Sequence, residues 1–292
     1  MKKFTLVVLM LFTALSYAQG IELNGTISAQ GNQIKNLLDP TEAQDAVTLS
    51  VLLEKISALQ DQISALQATT GSGTVTDIDG NSYAFLTYGN QVWTVENAEM
   101  VKYRDGTPIP QITEPDDWTA LTTGAWCYNY NDETKGKLYN WYAVAGIHDT
   151  DPNTPNKEFA PEGWHVPTDA EWTTLEEYLI ASGYNYDGTT TGNKIAKAMA
   201  SNTGWNSSTN TGAIGNDQSL NNSSDFNAFP EGYRNNDGSF NDEGDIAIFW
   251  SSTEYDYDTD YAWNRNLSIY FSYLSRDNYN KQDGFSVRFV RD

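Results

Sequence analysis

The stretch Pro161-Glu162-Gly163-Trp164-His165-Val166-Pro167-Thr168-Asp169-Ala170-Glu171-Trp172 contains a helix start. Thr168 and Glu171 have the spacing of a capping box, in which each side chain satisfies a backbone N–H of the other. Trp172, Leu175 and Leu179 then share one helical face until Gly183, a helix stop. Working outward, Leu138, Trp141, Tyr142 and Ala145 recur at i, i+3, i+4 and i+7 and predict a short buried helix, while Ile195 and Met199 mark a third. Beyond these the chain reads as strands. Val75 to Phe85 forms two strands joined at Asp79-Gly80, a hairpin turn signal. Ile246 to Trp250 is apolar on both faces, as a central strand is, and Phe285, Val287 and Phe289 alternate with Ser286, Arg288 and Val290 like a half-buried one. Strands, then helices, then strands again predict an α+β fold with both ends of the domain in one sheet.

The N-terminal quarter has a different character. Lys2-Lys3, an apolar run from Phe4 to Leu15 and Ser16-Tyr17-Ala18 before Gln19 have the three parts of a secretory signal peptide. The apolar run of about 12 residues is shorter than the roughly 20 that span a bilayer, so no membrane insertion is expected after cleavage. Leu49, Leu52, Ile56, Leu59, Ile63 and Leu66 alternate steps of three and four, the a/d seam of a coiled coil. So narrow a stripe suits a partner helix, here a second copy of the chain, and the strand number stays open between two and three. Thr69 to Thr74 has linker composition. The organisation expected is therefore a signal peptide over 1–18, a fibre-like segment over 19–48, a coiled-coil stalk helix over 49–67, a linker over 68–74 and the main domain over 75–292.

Composition narrows the partners. In 292 residues, 39 Asp plus Glu against 17 Lys plus Arg give a formal net charge of −22, which disfavours nucleic acid and anionic membranes. The one cysteine, Cys127, forbids an internal disulfide and lies far from the signal cleavage point, so it cannot carry a lipid there. Its neighbours Trp126 and Tyr128 suggest a buried, inert thiol. Asp77, Asp79 and Asn81 suggest a calcium loop, but Gly80 falls fourth and Tyr88 twelfth, where such a loop wants Gly sixth and Glu twelfth. The hairpin reading is preferred.

Six strings carry a family resemblance: DIDGNSY from Asp77, QVWTVEN from Gln91, LYNWYAV from Leu138, PEGWHVPTDAEWTTLE from Pro161, FWSSTE from Phe249 and GFSVRFVRD from Gly284. Residues 75–292 resemble the Fibrobacter succinogenes major paralogous domain. The resemblance implies export, a C-type-lectin-like fold shared with formylglycine-generating enzymes, and no established activity. A shorter string, Asn32 to Ala46 with Asp39-Pro40 and Asp45-Ala46, resembles trimeric phage tail-fibre segments and implies three strands rather than two.

Candidate sites are few. The oxidase chemistry of formylglycine-generating enzymes uses two cysteines, and only Cys127 is present. Hydrolysis by Ser and His needs a poised base, yet His165 lies beside a helix cap and His148 lies in a loop. Glu114, Asp116 and Asp117, and the Asp242 to Asp245 turn, read as solvated loops before they read as calcium ligands. Where sugar-binding C-type lectins carry Trp-Asn-Asp, this chain has Trp263-Asn264-Arg265, so no metal and no cofactor is expected. Two segments read as ligand loops: the Gly, Asn, Ser and Thr stretch Trp205 to Ser224, and Tyr255-Asp256-Tyr257-Asp258-Thr259-Asp260-Tyr261. Trp205, Tyr255, Tyr257 and Tyr261 are expected to share one exposed surface and bind a glycan or a protein, without catalysis. A structural fibre component and a carbohydrate-active enzyme are the competing readings.

Overall fold

The computed structural model of the protein describes residues 54–56 and 72–292. The signal peptide, the fibre-like segment and the tail-fibre string lie outside the described residues, as do Leu49, Leu52, Leu59, Ile63 and Leu66 of the seam. Ile56 is helical and 42% exposed.

The domain is α+β, with short helices among mostly antiparallel sheets. Its first hairpin pairs β1 (Ser72–Thr76) with β2 (Ser82–Tyr88). Asp77 closes the turn, its Oδ1 accepting from the N–H groups of Asp79 and Asn81 and its Oδ2 accepting from Tyr83 Oη at 2.5 Å and from the Asn81 amide. Asp79 is held in turn by Lys102 Nζ at 2.7 Å and by two backbone N–H groups. These carboxylates serve the hairpin. β1 begins three residues ahead of the expected boundary at 75, because Ser72-Gly73-Thr74 has the composition of a linker but pairs with Leu86, Phe85 and Ala84. A Cβ at Gly73 would meet the Phe85 ring at 2.6 Å, so glycine lets the edge strand lie under that ring.

The main sheet has the order β1-β2-β3-β12-β6, with β3 at Gln91–Thr94, β6 at Trp164–His165 and β12 at Val290–Arg291. Residues near both ends of the domain thus share a sheet, as the pattern predicts. Phe285 to Val290 departs from the half-buried expectation: Ser286 and Arg288 are as buried as the phenylalanines. The alternation is real, but both faces are covered, with Arg288 satisfied by four acceptors on its own side.

A second antiparallel sheet, β9 (Ile246–Glu254), β10 (Tyr261–Ser268) and β11 (Ser275–Asn280), has β9 at its edge, not its centre. The edge is covered by isolated bridges Gly232–Ala247 and Phe249–Ser286, which explains the two apolar faces. Helix α3 (Asp169–Ala181; α1 and α2 are Pro115–Thr119 and Trp141–Val144) packs Trp172, Leu175 and Leu179 between the sheets. Trp172 lies 4.7 Å from Trp93 and 5.7 Å from Phe249, ring centre to ring centre. The expected helix over 138–145 is shorter, because Leu138 belongs to β5 (Lys137–Tyr139), paired with β4 (Trp126–Tyr128). Asn140 caps α2, accepting from Ala143 N–H. Ile195 and Met199 bracket α4 (Ala196–Met199), both buried.

Candidate functional site

The loop between β9 and β10 carries an aromatic tip. Tyr255 and Tyr261 close it across the backbone, Tyr255 N–H donating to Tyr261 C=O at 3.0 Å, and Asp258 Oδ1 accepts the Asp260 N–H to make the turn. Tyr257 projects from it, 86% exposed. Its ring centre lies 5.4 Å from that of Tyr255, and Tyr255 meets Trp263 edge-on at 4.9 Å. Trp263 stands where the β9–β10 register shifts, between Ala262 and Asn264, a place where a bulge re-aims a side chain. The Arg276 guanidinium lies 3.3 Å from the Trp263 ring centre.

Arg276 is itself anchored. Its Nε and Nη2 donate to both carboxylate oxygens of Asp169 at 2.9 to 3.1 Å, and buried Arg265 Nη1 donates to Asp169 Oδ1 at 2.6 Å. Burial works to raise the Asp169 pKa, but the hydrogen bonds from Arg276 and Arg265 override it and hold the carboxyl below its usual range. Asp169 is also the first residue of α3, where the helix dipole favours an anion. The result is one continuous stack from the start of α3 through Arg276, Trp263 and Tyr255 to Tyr257. Such rings can lie against the apolar face of a sugar or a peptide side chain, and Asp256, Asp258 and Asp260 beside them offer acceptors.

The structure joins Tyr255 and Tyr257 and brings Tyr261 in through its backbone, but it does not put Trp205 on this surface. Trp205 is 5% exposed, packed in the core that holds Trp172 and Phe226, with its indole N–H on Ser201 Oγ. The expectation of an exposed Trp205 ring fails because the polar stretch after it is tied down. Lys197 Nζ donates to the carbonyls of Ala213, Asn216 and Asp217, Asn221 bridges the carbonyls of Ser201 and Ile214, and Ala213 and Ile214 are buried.

Trp263 and Arg276 escape the sequence reading. They are thirteen residues apart and meet only once β10 and β11 pair with Arg265 opposite Arg276. An aromatic at every second position, Tyr261 and Trp263, is the one signal that could have found the ring.

The other candidates have structural employment. His165 donates or accepts at both ring nitrogens, Nε2 2.8 Å from Glu171 and Nδ1 2.6 Å from Asp292. His148 Nε2 lies 3.2 Å from Asp149. Burial pushes the Cys127 thiol up to about 11. Asp116 and Asp117 sit in the first turn of α1, Glu243 pairs with Lys135 at 2.6 Å, and Asp245 accepts from the Asn206 amide. Among the described residues no group of three or more His, Cys, Asp or Glu is placed to hold a metal ion.

No curated protein and no solved structure matches the chain. A family match does exist, and it runs from β2 to β12. It takes in the capped helix α3, the β9 to β11 sheet that carries the tip, and the closing strand that returns to β3. Residues 86–291 match the Fibrobacter succinogenes major domain, and the chain belongs to that family.

Proposed function

We propose that this protein is an exported, non-enzymatic binding module, a C-type-lectin-like domain that presents its ligand face on an oligomeric stalk at or beyond the cell surface. The observation that carries the reading is the tip: three aromatic rings in contact, buttressed by an arginine that a carboxylate holds bidentate, with the outermost ring in solvent. Rings fixed in advance lose little entropy on binding, which is the behaviour of an adhesion surface. The ligand is a glycan or a surface protein.

A glycan array and a screen of surface proteins, each read with the parent and with Tyr257→Ala, test this. The parent should give a ligand, and the variant should weaken it while shifting stability by no more than about 0.5 kcal/mol, since truncating an exposed ring leaves no cavity. A ligand that binds both proteins equally moves the site elsewhere, and no ligand at all favours the structural reading.

Self-association through the stalk would multiply weak sites. Replacing Ile56 and Ile63 by Asp should convert the oligomer to a monomer by light scattering, with the melting of the main domain unchanged. A parent protein that is already monomeric overturns the stalk.

A further inference from the structure

A cleft of about 580 Å³ is lined by none of the tip residues. Its walls are the start of β2 at Asn81 to Tyr83, the turn after β3 at Glu96 to Glu99, the β4–β5 turn at Thr134 to Gly136, and Phe229 and Glu231 ahead of β7 (Tyr233–Arg234). That volume suits a ligand of one or two sugar rings.

The hydrogen bonds already made in the cleft define what can enter it. Several of its donors are engaged. Arg288 donates to Asn97 Oδ1 and to the carbonyls of Thr94, Phe226 and Asn227, and Tyr83 Oη donates to Asp77. The Asn97 amide donates to Ser286 Oγ, and the Asn81 amide to Asp77 and to the Glu99 carbonyl. The cations are engaged as well: Lys135 pairs with Glu243 at 2.6 Å and Lys137 with Glu99 at 2.5 Å. Glu231 is left without a cation of its own, and no side chain among the described residues donates to it.

Glu231 is nonetheless held in a fixed place. It rests on Gly136, where a Cβ would stand 2.7 Å from its Oε1 and force it away. Burial pushes its carboxyl up to about 7 against the Gly136 N–H, which lowers it; Glu99 and Glu243 add to the rise and Lys135 opposes it. On the rim the Phe229 ring is 41% exposed and seated over Gly204, where a Cβ would meet it at 2.5 Å. The cleft therefore offers free acceptors, one uncompensated carboxyl and one flat apolar ring.

We infer that this cleft is a second binding site, which takes a primary ammonium group carried on a hydroxyl-rich frame, the chemistry of an amino sugar. The ammonium sits on Glu231, the hydroxyls donate to the remaining oxygens of Glu96 and Glu99, and the ring's apolar face lies on Phe229. A neutral sugar would leave the half-buried Glu231 without a cation, and an anion would meet three carboxylates.

Calorimetric titration of the full chain at neutral pH with the β-1,4-linked dimer of glucosamine tests the site. Saturable binding at one site per chain is expected. The N-acetylated dimer should bind about tenfold more weakly or worse, as should Glu231→Gln with the parent ligand. Glu231→Gln should melt no lower than the parent, because the amide removes a half-buried carboxyl that has no cation of its own. Phe229→Ala gives a second variant, also weakened, that leaves the charges alone. Binding should persist in Tyr257→Ala, which separates this site from the tip. The inference is overturned by the absence of saturable heat with the glucosamine dimer, by equal binding of the acetylated dimer, by an unaffected Glu231→Gln, or by loss of binding in Tyr257→Ala.

Discussion

His165 is held between two carboxylates, and this sets how stability responds to pH. The hydrogen bond that His165 donates to Glu171 raises the His165 pKa above its ordinary 6.5, burial opposes, and Asp292 adds to the rise. A raised histidine contributes stability that is complete below the unfolded value and is lost as pH climbs through the folded one. Burial works to raise Glu171 from 4.5, but hydrogen bonds from His165 and Thr168 hold it lower, so its contribution is present above that value and lost on acidification. The clamp is therefore strongest in mildly acidic solution. The melting temperature of the parent minus that of His165→Gln should be largest near about pH 5.5 and shrink steadily above neutrality. A difference that is flat from acid to alkaline pH would show that the clamp contributes nothing. The aspartates tell a related story at the same scale. Asp105, Asp132, Asp151, Asp187, Asp237 and Asp258 each accept the N–H two residues on, so much of the acidity that invites a metal reading is turn chemistry.

Helix α3 shows how far local sequence reaches at the level of an element. Thr168 Oγ1 accepts the Glu171 N–H while Glu171 Oε2 accepts the Thr168 N–H, the reciprocal box that the spacing announces. Glu171 has a second duty, since its other oxygen meets His165 and fastens the helix start to β6. Thr168→Ala should cost about 1 kcal/mol in urea unfolding, and Glu171→Ala more, because it removes the cap and the clamp together. Equal losses in the two variants would mean that the His165 contact is idle. Elements of this kind were legible because their signals lie within four residues of one another. The β9–β10 tip was half legible for the same reason: Tyr255 and Tyr257 stand together in sequence, whereas Trp263 and Arg276 reach the stack only through strand register. Trp205 misled because a stretch rich in Gly, Asn and Ser looks open, and nothing local reveals that Lys197 gathers its carbonyls from underneath.

Lys197 belongs to a pattern that runs through the whole molecule. With only short helices and small sheets among the described residues, many buried carbonyls there have no ladder partner and need a donor from elsewhere. Arg104 donates to the carbonyls of Ala160, Pro161 and Trp164, Arg234 to those of Gly238, Ile112 and Thr113, and Arg288 to those of Thr94, Phe226 and Asn227. Arginine suits this work, because its planar fork places five donors in several directions while its charge strengthens each bond. Composition hides the device, since an interior arginine and a surface one are the same letter, and alternation assigned Arg288 to solvent. The pattern also bears on metal. A structural calcium ion gathers loop carbonyls and aspartate oxygens, and here those carbonyls are held by side-chain cations while Asp77 and Asp79 are taken by backbone donors, Tyr83 and Lys102. Loops fastened in this way need no ion to stay folded. A chelator such as EDTA should therefore leave the melting temperature of the full chain within about one degree of its value in calcium, because only a ligand that favours the native state raises it. A fall of several degrees on chelation would reveal a bound metal, and with it a loop whose carbonyls these arginines do not reach.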